Sequence, residues 1–226
     1  MRWVWRRSGS GAFIMVPMAE RVLLQQFAKT PVPGRVKTRM LPLLSPAEAC
    51  ALHAELVRWT CQTLLESALG SLELWVAGDP DHPVFRDCAA LGQMALYPQL
   101  GEDLGARMRH ALNHGLARAD RVLLVGSDCP ALSEHYLRQA LEALDAADLV
   151  LGPALDGGYV LIAAKKPVDV VFAGIGWGSS RVLAETRVRA QAAGISVAEL
   201  QTLRDIDRPE DLPHWQALRQ RGRVRR

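Results

Sequence analysis

No two cysteines of this chain stand at C-x-x-C spacing, since Cys50, Cys61, Cys88 and Cys129 lie far apart. That suggests neither a zinc site nor a disulfide framework, and a reducing cytoplasm is the simplest home for such a protein. No apolar run approaches the roughly 18 to 20 residues needed to cross a bilayer. The phosphate-binding pattern G-x-x-x-x-G-K-[ST] is missing, as are internal repeats, linkers and low-complexity tracts. A basic body is missing too. The net charge is +3 and the pI about 8.8, but three arginines fall within residues 1–20 and five within 219–226. The intervening chain is mildly acidic, which argues against nucleic acid as a partner. The Arg-rich tail from residue 216 reads as a solvated, disordered end.

What is present is ordinary for a soluble globular domain: 226 residues, 49% hydrophobic and 23% charged. That is enough for one α/β domain, which we place at residues 21–215. The first twenty residues make a poor signal peptide, because the apolar part is short, is broken by Pro17 and lacks a small-residue cleavage site. A disordered extension, or a start at Met15 or Met18, explains them better.

The pattern centres on Val122-Leu123-Leu124-Val125-Gly126-Ser127-Asp128-Cys129-Pro130. Four apolar residues read as a strand buried on both faces, which breaks into a Pro-terminated turn. Ligands of open α/β sheets gather beyond the carboxyl ends of strands, so Asp128 is placed to hold Mg²⁺ against a phosphorylated ligand. Capping a turn is the alternative role for an Asp beside Cys-Pro.

Val22–Ala28 is predicted as the first strand, and it runs into a loop with Lys29, Arg35, Lys37 and Arg39 among two prolines and Gly34. Prolines stiffen such a loop and Gly34 permits close backbone approach, so four cations can be displayed to a polyphosphate. A solvated basic loop is the plainer account. Ser45-Pro46-Ala47-Glu48 is a capping box that starts a helix to about Leu69. Further strands are predicted at 72–77, 94–97, 122–125, 149–153, 159–163 and 197–203, with helices over 84–91, 101–119, 133–144 and from Ser179 or Ser180 to Gly194. Asp79, Asp81 and His82 read as a polar loop rather than a metal cluster. The alternation implies a doubly wound, mostly parallel sheet with an antiparallel excursion around Asp156.

Three more stretches bear on function. Asp156-Gly157-Gly158-Tyr159 suits a tight hairpin. Phe172–Ser179 is a Gly-rich loop with two large aromatics, of a kind that often covers substrates. Asp207 with Glu210 three residues on is a capping signature, yet Asp207 also follows a strand and could share one Mg²⁺ with Asp128.

Together FAKTPVPGRVKTRM, LSPAEA, GEDLGARM, VGSDCPAL, LGPALDGGYVLI, GWGSSRVL and DIDRPEDL resemble, in that order, the DUF2064 or glycosyltransferase-like family. This family belongs to the GT-A-fold nucleotide-diphospho-sugar transferases, and the resemblance covers about residues 22–213. It implies a metal-dependent transferase that uses Mg²⁺ or Mn²⁺ and a nucleotide-activated donor with a small-molecule acceptor. Nucleotidyl transfer is favoured, because four loop cations suit a triphosphate; glycosyl transfer from a nucleotide sugar is the alternative, and a non-catalytic nucleotide-binding protein the second. Carried over by position, Asp128 and Asp207 are metal ligands, and Ser127, Lys29, Gly34, Arg35, Lys37 and Arg39 face the phosphates. Asp156, Gly157, Gly158 and Tyr159 line the acceptor side under a lid bearing Trp177, and Asp128, Lys37 and Asp156 form the expected catalytic set. Val160 and Gly178 depart from the family's usual residues, which bears on the acceptor.

Overall fold

The computed structural model describes residues 3–7, 13–17 and 20–224, and the side chains of residues 20–220. Within the N-terminal extension, strands β1 (Trp3–Arg7) and β2 (Phe13–Pro17) pair antiparallel as a ribbon separate from the main sheet. The body then alternates: β3 (Val22–Lys29), α1 (Pro46–Ser67), β4 (Ser71–Ala77), α2 (Pro83–Leu91), β5 (Met94–Pro98), α3 (Leu104–Leu116) and β6 (Arg121–Val125). It continues with α4 (Glu134–Ala146), β7 (Leu149–Pro153), β8 (Tyr159–Ala164), α5 (Val182–Ala192), β9 (Val197–Glu199) and α6 (Leu212–Val224).

The seven body strands form one sheet in the order β5-β4-β3-β6-β8-β7-β9. Only β8 runs against its neighbours; every other pairing is parallel. The fold is therefore α/β, doubly wound and mostly parallel, as read from the sequence. Apolar runs make this possible: Val122–Val125 is buried on both faces, because helices cover both sides of a parallel sheet. Val57, Cys61 and Leu64 of α1 and Leu137 of α4 pack on one side, while Met108 and Leu112 of α3 and Ala190 of α5 pack on the other. The Ser45–Glu48 capping box starts α1 as expected.

Three expectations are corrected. The last strand stops at Glu199 and the chain rejoins the sheet only through an Ala154–Leu203 bridge. Helix α5 begins at Val182 behind Arg181 rather than behind a Ser cap, because the Ser179 hydroxyl accepts from the Arg181 N–H one turn earlier, at 3.3 Å. The expected tail from 216 is continuous with α6, which is held by apolar packing: Trp215 is buried against Met40, Leu56 and Ile206, and Arg219 pairs with Glu55 at 2.9 Å. Among the described residues, no helix is long and apolar enough to cross a membrane.

Strand order reverses between β3 and β6. Chains leave these adjacent strands in opposite directions, which opens a crevice at their carboxyl ends where ligands of such sheets bind. The basic loop follows β3 and Asp128 follows β6.

Candidate active site

A cleft of about 290 Å³ lies at that end of the sheet, and its wall includes Arg39, Asp128, Asp156, Asp205, Tyr159 and Trp177. Asp128 is fixed from two sides. The Lys37 ammonium lies 2.8 Å from its Oδ1 and is itself only 2% exposed. His53, reaching up from α1, brings Nδ1 to 3.7 Å from the same oxygen, while its Nε2 meets the Lys29 carbonyl at 2.9 Å. Burial disfavours the charged carboxyl, but Lys37 and His53 outweigh it and hold the Asp128 pKa well below the usual carboxylate range. The side chain is nonetheless 47% exposed. Since Oδ1 is buried, the exposure belongs to the outer part of the carboxylate.

Lys37 also donates to the Ile206 carbonyl. Its backbone is left-handed, at φ 50, a conformation that costs an L-residue roughly 1–2 kcal/mol. The loop cation is thus turned inward and stitched to two other segments, not displayed to solvent. This corrects the expectation that all four cations of the loop face a ligand.

The 205–208 segment supplies the opposite wall. The Ile206 N–H donates to the Asp128 carbonyl at 2.8 Å, which brings the two acidic stretches side by side. Extended backbone puts residues i and i+2 on one side: Ile206 is buried, and Asp205 and Asp207 flank it. Arg39 grips the Asp207 carboxylate at 2.6 Å, and that pairing raises the Arg39 pKa further. Asp205 lines the cleft, and burial, with Asp156 and Asp207 nearby, pushes its pKa up to about 6 against the pull of Lys37. Asp207 does not cap the turn at Pro209, as its spacing suggested. Asp211 does the capping, its Oδ2 accepting from the N–H groups of Asp207 at 3.1 Å and Arg208 at 2.9 Å.

The remaining wall is a turn and a loop clasped together. Asp156 Oδ1 accepts from the Gly158 N–H at 2.9 Å, so it closes a turn and lines the cleft at once. Gly157 has φ +89 and lies so near Ser180 that an added Cβ would fall 2.0 Å from the Ser180 carbonyl oxygen; its own carbonyl accepts from Leu183 at 2.9 Å. Trp177 stacks on Phe172 with centroids 6.4 Å apart and lies on the first turn of α3. A Cβ on Gly105 would meet its ring at 2.4 Å. The Trp177 Nε1 is buried without a hydrogen-bond partner among the described residues.

Of the residues singled out in the sequence, the cleft thus gathers Arg39, Asp128, Asp156, Gly158, Tyr159 and Trp177. Lys29, Gly34 and Arg35 lie outside its walls on the exposed part of the basic loop, where the Lys29 ammonium bonds the Arg35 carbonyl at 3.0 Å. Ser127 is corrected: its hydroxyl is buried, donating to the Phe27 carbonyl at 2.7 Å and accepting from Gln26 at 2.9 Å. It locks β6 to β3 rather than facing a phosphate. Asp79, Asp81 and His82 form a loop, with His82 capping α2. Asp205 and His53 belong to the site without being singled out by the sequence pattern. For Asp205 the signal was available in Asp-Ile-Asp alternation, whereas nothing marked His53.

Residues 60–179 match the family described as "Uncharacterized protein conserved in bacteria (DUF2064)". The chain belongs to the DUF2064 family. A crystal structure from Desulfovibrio desulfuricans G20, assigned as a nucleotide-diphospho-sugar transferase, is 34% identical over 84% of each chain with a TM-score of 0.76. Two curated relatives are 2-phospho-L-lactate guanylyltransferases. That of Methanopyrus kandleri is 37% identical over 39% of this chain and 46% of its own length. That of Methanothermobacter thermautotrophicus is 28% identical over 54% and 53%. The chain spans about half the length of the curated relatives it matches.

Proposed function

We propose that this DUF2064 chain is a metal-dependent nucleotidyltransferase that moves a nucleoside monophosphate from an NTP onto a small phosphorylated acceptor. The observation that carries the reading is Asp128: a half-exposed carboxylate at the carboxyl end of β6, kept ionised by Lys37 and His53 and sharing its cleft with Arg39. The guanylyltransferase relatives support the reaction type.

A divalent ion fits the donor set. Burial, with Asp156 and Asp207 nearby, raises the Asp205 pKa to about 6, a strain on its charged form in the cleft it shares with Asp128 that a cation would relieve. Asp128 and Asp205 line one cleft, and Mg²⁺ or Mn²⁺ is held in such sites by one or two carboxylates plus substrate phosphates. Asp128 and Asp205 are the proposed holders. Asp207, first expected in that role, is engaged by Arg39. When bound, the ion supplies neutralising charge to the triphosphate.

The rest of the chemistry falls to the chain. An acceptor phosphate oxygen attacks the α-phosphorus; that P–O bond forms as the bond to the bridging oxygen breaks, and pyrophosphate leaves with its electron pair. No proton need move when the nucleophile is an ionised phosphate. Binding therefore supplies the catalysis, through alignment and fixed positive charge. Arg39 faces the cleft, Lys29 and Arg35 offer exposed charge at the loop around Gly34, and Lys37 acts as a positioning residue that orients Asp128. Asp156, Gly157, Gly158, Tyr159 and Trp177 form the acceptor side.

Incubating the protein with Mg²⁺, each NTP and 2-phospho-L-lactate or related phosphorylated acids should release pyrophosphate. No release with any of them would overturn the reading. Glycosyl transfer remains the second reading because of the 34% identical sugar-transferase structure, and turnover of UDP- or GDP-sugars without pyrophosphate release would establish it instead.

A further inference from the structure

The cleft does not end at Tyr159. A second cavity of about 110 Å³ opens from it between α3 and the sheet, walled by Phe27, Leu104, Met108, Tyr159, Val160 and Ile162 and carrying no charged side chain. The two spaces share Leu104, Met108, Gly126, Tyr159 and Val160. We propose that this annex holds a short hydrocarbon arm of the acceptor, with Ile162 and Gly126 setting how much arm fits. The proposal rests on the transferase reading only in calling the arm-bearing molecule the acceptor.

The chemistry of the walls selects the occupant. The Gly126 N–H already donates to the Val160 carbonyl at 3.1 Å, so this part of the floor offers a ligand no free donor. A nucleobase or phosphate placed there would leave its polar atoms unpaired, a strong penalty in an apolar site. An alkyl group loses nothing and gains burial. Taking about 30 Å³ for each water-sized group, the annex admits three or four carbon-sized groups. Each buried methylene is worth about fourfold in affinity.

Gly126 marks the space as belonging to a ligand. A Cβ added there meets no protein atom within 4 Å, and its backbone is outside the left-handed region, so a side chain would obstruct only what enters from the cleft. Next to the annex, the unpartnered Trp177 Nε1 can only donate, and it calls for an oxygen beyond the arm. The acceptor class that fits is a small phosphorylated hydroxy acid or alcohol with a short alkyl group.

The test is binding to the full chain with Mg²⁺ present, measured by calorimetric titration with 2-phosphoglycolate, 2-phospho-L-lactate and 2-phospho-2-hydroxybutyrate. These probes carry no, one and two arm carbons. Affinity should rise severalfold with each carbon. In Ile162→Phe, which adds bulk to the annex wall on the α3 side of the sheet, the gradient should vanish or reverse; in Gly126→Ala, which narrows the passage without a clash, it should flatten. A cooperative thermal melt shows that each variant folds. Equal affinities in the wild type, a gradient that survives both substitutions, or no binding of any probe overturns the proposal. A gradient without pyrophosphate release from any NTP upholds the annex while removing the nucleotidyl reading; release with a flat gradient does the reverse.

Discussion

The two ends of the main sheet make opposite use of buried charge. At the amino ends of β3, β4 and β5 lies a cavity of about 610 Å³, larger than the cleft of about 290 Å³ at the carboxyl ends. Yet the buried acid of the larger cavity is satisfied. Glu73, 3% exposed, accepts from Arg118 at 2.5 Å, Gln25 at 3.0 Å and Trp75 at 3.1 Å. At the same end Asp148 is held by Lys166 and Ser196. At the carboxyl end Asp128, Asp156 and Asp205 share one small space, and Asp205 is pushed toward neutrality. Volume alone would choose the amino-end cavity. Charge left in tension, of the kind that clusters at functional sites, favours the carboxyl-end cleft as the proposed site.

Substituting matched carboxylates at the two ends should separate these roles. The largest effect is expected for Asp128→Asn, which should lower the rate of pyrophosphate release at least about a hundredfold by weakening the hold on the divalent ion proposed to neutralise the phosphates. Because Lys37 is buried against this carboxylate, the thermal midpoint should also fall, so turnover is compared per folded molecule. Next, Glu73→Gln should leave turnover per folded molecule intact but cost about 1–3 kcal/mol of stability in urea titrations, because a buried acceptor for three donors loses its charge. A loss of turnover at constant stability would break the contrast.

Asp205→Asn should act with the opposite sign on stability. Relief of crowding should raise the melting temperature of the metal-free protein at pH 8, on the order of 1 kcal/mol, while Mg²⁺-dependent nucleotide binding weakens. Asp148→Asn is the smallest change. Hydrogen bonds from Lys166 and Ser196, with the Lys166 charge, lower the Asp148 pKa to about 2 against a slight opposing burial. An acid with a depressed folded pKa stabilises above its unfolded value and loses that contribution as pH falls through the folded one. The wild type should therefore exceed the variant by about 1 kcal/mol or less at neutral pH, and the two should converge in urea titrations as the pH drops from about 4 toward 2.

Elements that depend on local pattern were legible in the sequence. The Val122–Val125 run, the Ser45–Glu48 box and the Asp156–Gly158 turn announce a buried strand, a helix start and the antiparallel β8. Asp128 was legible because an apolar run breaks there into small and polar residues. Lys37 and Ser127 were misread because a cation and a hydroxyl look alike on paper whether they face solvent or a buried partner. Their partners, Asp128, Ile206, Gln26 and Phe27, come from distant stretches of chain. The annex was invisible for the same reason, since its walls come from four separate strands and helices.

Trp215 of α6 meets Trp59 of α1 edge to face, with centroids 5.1 Å apart and planes at 82°, and the Trp59 indole N–H donates to the Pro130 carbonyl at 3.1 Å. Pro130 ends the turn that carries Asp128. The final helix is thus mechanically continuous with Asp128 through two indole rings. A protease cut or fusion junction placed ahead of Trp215 would be felt at the Asp128 turn, however remote it looks on a linear map of the gene product.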